Sequence, residues 1–200
     1  MKIKNVIFIS LCFLCGCATT NVKSFLDPDF SLRKINTILI WSNETVEKAF
    51  IKRLKDTHTE GFMASEIFLP TREYSGEQIL KILKEKNIDT VLFVKFLDSY
   101  SSQTYVPESY STTGHYEATP FVNKPLVYKS ETTKYGGYYI SKPRLVFDIE
   151  LDDVTTKRKI YVSRTHTKGN AYVSFDGMIN SLTKKTIKDL IEKNLINKRY

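Results

Sequence analysis

The cysteines of this 200-residue chain all fall near its start, at Cys12, Cys15 and Cys17. A thiol can attack, ligate a metal or accept a lipid. No cysteine follows Cys17, so the body of the chain has neither a disulfide framework nor a thiolate metal set. His58, His115 and His166 are widely separated, and no two stand at the helical spacing that brings a pair of imidazoles to one metal. Asp148, Glu150 and Asp152 alternate onto one face of a strand, with Asp153 next. Such a group could hold a hard cation, which needs about six to eight oxygens, or pair with Lys157, Arg158 and Lys159 across a hairpin. Pairing is the favoured reading. There is no Gly-x-Ser-x-Gly elbow, and the eight glycines are too scattered for a phosphate-cradling loop. The chemistry-bearing side chains therefore point to a non-enzyme without metal or cofactor.

Tyrosine is the other unusual feature. Residues 99–143 hold eight of the twelve tyrosines, among Ser, Thr, Pro and Gly. Structureless loops of this length are uncommon in compact domains, and disordered segments are poor in aromatics. A partly ordered β arm, extending the strands on either side, is expected. Tyrosine with Ser and Gly is a binding composition, because the ring offers large contact area at little entropic cost and the hydroxyl adds a hydrogen bond. Tyr105, Tyr110, Tyr116, Tyr128, Tyr135, Tyr138 and Tyr139 are the candidate binding residues. The competing reading has them covering the domain's own sheet.

Elements must position these groups. Ile35–Trp41 reads as a strand, and Ser42 or Asn43 as the cap of a helix with Val46, Ala49, Phe50 and Leu54 at helical spacing. Phe62–Leu69 is expected to be a second strand, stopped by Pro70. Ser75-Gly76-Glu77-Gln78 has the spacing of a capping box before Ile79, Leu80, Ile82 and Leu83, with Asn87 as the stop. Thr90–Leu97 reads as a strand buried on both faces. Leu145, Phe147, Ile149 and Leu151 alternate with polar residues, and Ile160–Val162 returns as the second strand of a hairpin. Ile179, Leu182, Thr186, Leu190 and Ile191 space out as a last helix. The order is β-α-β-α-β, long arm, β-β-α. That predicts an α+β, two-layer αβ sandwich with a mixed sheet of about five strands and three helices.

The start of the chain carries an address. Lys2 and Lys4 precede a short apolar run from Val6 to Leu14, too short to span a bilayer and laid out like an export signal. Leu14-Cys15-Gly16-Cys17 resembles the bacterial lipobox. The resemblance implies cleavage before Cys17 and acylation of its thiol and new amine with fatty acyl chains such as palmitate, which together anchor stably. Residues 1–16 are then a signal peptide and 17–33 a lipidated start and polar tether. Residues 34–200 form one αβ domain with the excursion at 99–143. Loss of Lys2 and Lys4 lowers the formal charge from +8 to +6, which suits anionic surfaces but does not argue for nucleic acid. Ala18, rather than an aspartate, follows Cys17; by resemblance to sorted lipoproteins this favours the outer membrane, facing the periplasm, with the cell exterior as the other address.

The export signal with this element order is similar to small envelope domains such as the N-terminal domain of the Tol-system periplasmic protein and the lipoproteins that activate penicillin-binding proteins. It is also similar to bacterial lipoproteins of uncharacterised type, in which the hairpin's second strand often holds an aromatic residue, here Tyr161, and a Gly-Asn-Ala run follows, here Gly169-Asn170-Ala171. The resemblance implies partner binding rather than catalysis. The expectation is a membrane-anchored, non-catalytic lipoprotein of the cell envelope that binds a protein or a peptidoglycan component. The alternatives are an enzyme acting on envelope polymer and a structural component of a surface assembly.

Overall fold

The computed structural model describes residues 16–30, 34–117 and 127–199. The expected apolar signal run lies outside them. The chain forms two compact units, one of residues 102–142 and one of the remainder.

The larger unit is built on a six-stranded sheet. In chain order the strands are β1 (Ala18–Leu26), β2 (Thr37–Trp41), β3 (Glu60–Met63), β4 (Thr90–Val106), β7 (Tyr138–Asp153) and β8 (Lys159–Gly169), arranged β1-β8-β7-β4-β2-β3. β2 is parallel to both β3 and β4, whereas β8 is antiparallel to β7 and β1. The helices are α1 (Glu44–Leu54), α2 (Ala64–Ile67), α3 (Gly76–Glu85) and α4 (Phe175–Glu192). The α+β class and the element order are as the sequence predicts, with six strands and a short extra helix.

Alternation along β2 shows how the faces are used. Ile38 and Ile40 join Phe50, Leu92, Phe147, Ile149, Tyr161, Leu182 and Leu190 in the main core, under α1 and α4. Leu39 points the other way and joins Phe68, Leu83, Ile88 and Val91 under α2 and α3. The parallel part of the sheet is therefore covered on both faces, which explains its unbroken apolar strands. Burying each such side chain contributes about 1.5–3 kcal/mol. Over β7, β8 and β1 the α4 face carries the core, and the other face holds half-buried and exposed residues apart from the buried Val146, so β7 alternates from Phe147 onward.

Local signals set the helix starts. Asn43 accepts a hydrogen bond from Val46 N, Ser75 and Gln78 make the expected capping box, and Ser174 accepts from Gly177 N. Asn87, at φ 53°, takes the left-handed conformation just past α3.

Two expectations are corrected. Ala18–Leu26 is not a tether but an edge strand, paired from Ala18–Gly169 to Leu26–Tyr161. Its inward positions are Ala18, Thr20, Val22, Ser24 and Leu26, and the hydroxyls among them conceal the period of two. Thr20 Oγ1 lies 2.9 Å from both Thr167 Oγ1 and Ser181 Oγ, so the inward polar position is satisfied. The second strand is Glu60–Met63 and not Phe62–Leu69, because the chain turns into α2 at Ala64. Ser65 there gives its N–H and its hydroxyl to the Glu47 carboxylate, and Phe68 swings into the second core cluster.

The smaller unit contains the hairpin β5 (Ser109–Glu117) and β6 (Val127–Tyr135), paired from Ser109–Tyr135 to Glu117–Val127. Outgoing β4 and returning β7 run into this unit, as the arm reading expects. Gly136 and Gly137, at φ 81° and 75°, make the turn from β6 to β7.

Candidate functional site

Three surfaces carry the features that could serve a function. The first is the anchor end. Cys17 is exposed, and its thiol is free. It immediately precedes β1, and its carbonyl accepts a hydrogen bond from Asn170 N at 3.1 Å. The Gly169–Asn170 turn that carries this N–H leads into Tyr172 and the start of α4.

The second surface is the uncovered sheet face. Register places it in rows: Thr19, Lys168 and Arg144; Asn21, His166 and Val146; Lys23, Arg164 and Asp148; Phe25, Val162 and Glu150. Arg164 makes a forked ion pair to Asp148 at 2.7 and 2.8 Å, which holds that carboxyl below its ordinary range. Glu150 accepts from Lys95 at 2.9 Å and pairs with Lys159 at 3.1 Å, and the Lys95 bond is the main reason its pKa is lowered. Asp152 goes the other way. Burial raises its pKa against the pull of Lys159, and its Oδ1 is buried without a hydrogen-bond partner. The expected pairing of this acidic row across the hairpin thus holds for Lys159. Asp148 instead takes Arg164, and Arg158 reaches Asp27 at 2.6 Å. Phe25 is 75% exposed at the edge of this face.

The third surface is the tyrosine hairpin. Tyr105, Tyr110, Tyr135, Tyr138 and Tyr139 are all exposed, from 47% for Tyr105 to 67% for Tyr139. Tyr105 and Tyr139 pack ring to ring with centroids 5.1 Å apart. Tyr110 donates to Glu108 at 2.8 Å, and Lys134 pairs with the other oxygen of Glu108 at 2.7 Å. Both bonds hold the Glu108 carboxyl down, Lys134 the more. Thr112 and Thr132 meet across the hairpin at 2.9 Å. Tyr116 and Tyr128 are directly opposed in register.

A crevice of about 780 Å³ also opens at the carboxyl ends of β2 and β3. Its aromatic side is self-packed: Trp41 stacks on Phe68 at 4.9 Å, and Tyr74 meets Phe68 edge-on at 5.2 Å. Of the three glutamates that line it, Glu44, Glu47 and Glu66, Glu47 is fully buried and already occupied, accepting from Ser42 N (3.0 Å), Ser65 N (3.1 Å) and Ser65 Oγ (2.5 Å). Glu47 holds the end of β2 against the start of α2. The sequence reading did not single it out. The signal available was a glutamate four residues beyond the Asn43 cap, inside an otherwise apolar helix face. Among the described residues no three His, Cys, Asp or Glu gather where a metal could sit. No helix among them is long and apolar enough to cross a membrane.

No family model matches the chain, and no curated protein matches it in sequence. Solved structures do match in fold. A single-substitution variant of the PelC dodecamer from Paraburkholderia phytofirmans superimposes with a TM-score of 0.50 at 12% identity, over 86% of this chain and 98% of that one. A second PelC dodecamer structure from the same organism gives 0.49 at 13% identity, over 86% and 97%. At this identity the likeness establishes a shared fold.

Proposed function

We propose that this protein is a lipid-anchored, non-catalytic subunit of an envelope assembly made from copies of itself. The observation that carries the proposal is the fold match, over 86% of this chain and 98% of the other, to a chain that was solved as a dodecamer. Two features of this chain support it. The face of β1, β8 and β7 is open, with Phe25 exposed at its edge and alternating ion pairs beside it. In the crevice at the carboxyl ends of β2 and β3, the buried carboxylate Glu47 is engaged in structural hydrogen bonds. The anchor would be Cys17, acylated after removal of residues 1–16, and the outer membrane the expected address.

Light scattering coupled to size-exclusion chromatography tests the assembly. The detergent-solubilised chain should run as a closed multiple of its protomer, and Phe25→Lys should shift it toward the monomer. A monomer at every concentration, with the wild-type chain folded, sinks the proposal.

A second reading is favoured by the exposed tyrosines. The hairpin would recognise another envelope component, a protein or peptidoglycan, since rigid aromatic rings with neighbouring hydroxyls are well suited to contact. Photo-crosslinkers at Tyr110 and Tyr135 in living cells should capture one discrete species. Adducts only to copies of this chain would return the hairpin to self-assembly.

A further inference from the structure

We infer that the domain rests directly on the bilayer, on a patch around the lipidated cysteine led by Tyr172 and Phe175. The inference rests on acylation of Cys17. If Cys17 carries the lipid, no tether separates it from the fold. Ala18 is already paired with Gly169, and the Cys17 carbonyl is bonded to Asn170 N at 3.1 Å. The backbone just before Cys17 lies directly on the loop ahead of α4: a Cβ added to Gly16 would stand 2.5 Å from Tyr172 O and 2.6 Å from Val173 Cα. The acyl chains therefore emerge beside the segment Asn170–Phe175.

That segment has the chemistry of a membrane interface. Tyr172 is 71% and Phe175 49% exposed, although both sit among ordered elements. Aromatic side chains prefer the headgroup level, where a flat apolar body and a polar tip are both served. The nearest row of the open sheet face is Thr19, Lys168 and Arg144, placing two cations next to the anchor for lipid phosphates. Asp176, in the first turn of α4, is the acid in this neighbourhood. Acyl chains hold the protein, and the patch sets its orientation. With no slack between them, the patch stays at high effective concentration against the surface. Phe25 lies at the opposite end of β1, roughly 26 Å from Cys17 at the strand rise of about 3.3 Å per residue. It should face away from the lipid.

The test uses the acylated full chain, purified from membranes and reconstituted into phosphatidylethanolamine–phosphatidylglycerol vesicles with brominated acyl chains. In a Trp41→Phe background, Tyr172→Trp and Phe25→Trp each supply one indole. The Tyr172→Trp indole should shift to the blue and lose roughly half its emission to bromine, as an interfacial indole does, while the Phe25→Trp indole keeps its emission. Mass spectrometry of the Cys17 peptide separates the two premises. Acylated Cys17 with an unquenched Tyr172→Trp indole overturns the docking and leaves the anchor standing. Equal quenching at both positions also overturns it, because the domain would then have no fixed orientation. An unmodified Cys17 removes the anchor and the docking together.

Discussion

Single side chains in this protein are decided by how many partners a buried polar atom finds. Glu47 has no exposed surface, yet three donors meet its two oxygens and tie β2 to α2. Glu47→Ala would remove the acceptor of the half-buried Ser42 N–H and of both Ser65 donors and leave a void where the buried side chain was, so a loss of about 1–3 kcal/mol is expected from urea denaturation. Asp152 is the converse case. Its buried Oδ1 is without a partner and its pKa is raised by burial. Its charge costs stability above the ordinary carboxylate pKa, and that cost disappears as falling pH protonates it. Asp152→Asn should therefore raise the unfolding free energy at neutral pH by about 1 kcal/mol or less, read from urea denaturation, and make no difference at about pH 3. Tyr161 is nearly fully buried and gives its hydroxyl to Asp189 at 2.8 Å; burial pushes its phenol strongly upward. It is part of the packing and is not available to a partner, unlike the hairpin tyrosines.

At the scale of elements, β1 and the hairpin behave oppositely. β1 looks polar but is integral: nine residues pair with β8, and Thr20 is tied to both β8 and α4. A chain beginning after Leu26 would expose the β8 edge. It should lose more than about 2 kcal/mol and aggregate, measured as a lowered melting midpoint with rising light scatter. The hairpin looks aromatic enough to be core, but it forms its own unit. Joining Ser101 to Pro143 through a short turn should leave one cooperative unfolding transition, with a smaller dependence on urea because less surface is exposed. Loss of cooperativity in that variant would show that the larger unit needs the hairpin.

For the whole molecule, the open sheet face links stability to pH. Asp148 and Glu150 both have lowered pKa values in the fold. A lowered carboxylate contributes stability above its unfolded pKa and loses it as pH falls through the folded value. The net effect on the wild-type chain should be a decline in stability beginning near pH 4–5, about the ordinary carboxylate range, and steepening below it. These pairs are solvent-facing, so each is worth about 1 kcal/mol or less and should weaken in salt. Arg164→Ala should flatten the acid limb measured by thermal melts. If copies assemble through this face, the same substitution should also shift the oligomer distribution.

Much of the fold was legible in the chain itself. Alternation in Leu145–Leu151, the Ser75–Gln78 box and the Asn43 cap act within a few residues, so local physics determined those elements, and the count of cysteines ruled out thiol chemistry beyond Cys17. The Leu14–Cys17 motif and the density of tyrosines are likewise properties of the sequence alone. What depended on tertiary structure was every feature with a distant partner. Ala18–Leu26 became a strand because β8 and α4 supply partners for its hydroxyls. Met63 turned into α2 because Glu47, far back in the chain, holds Ser65. The exposure of Tyr105, Tyr110, Tyr135, Tyr138 and Tyr139 is a property of the folded chain, and Tyr172 and Phe175 drew meaning only when folding brought Asn170 onto Cys17. Burial and hydrogen-bond satisfaction are properties of neighbours in space, and spacing along a chain reports them only where those neighbours are also near in sequence.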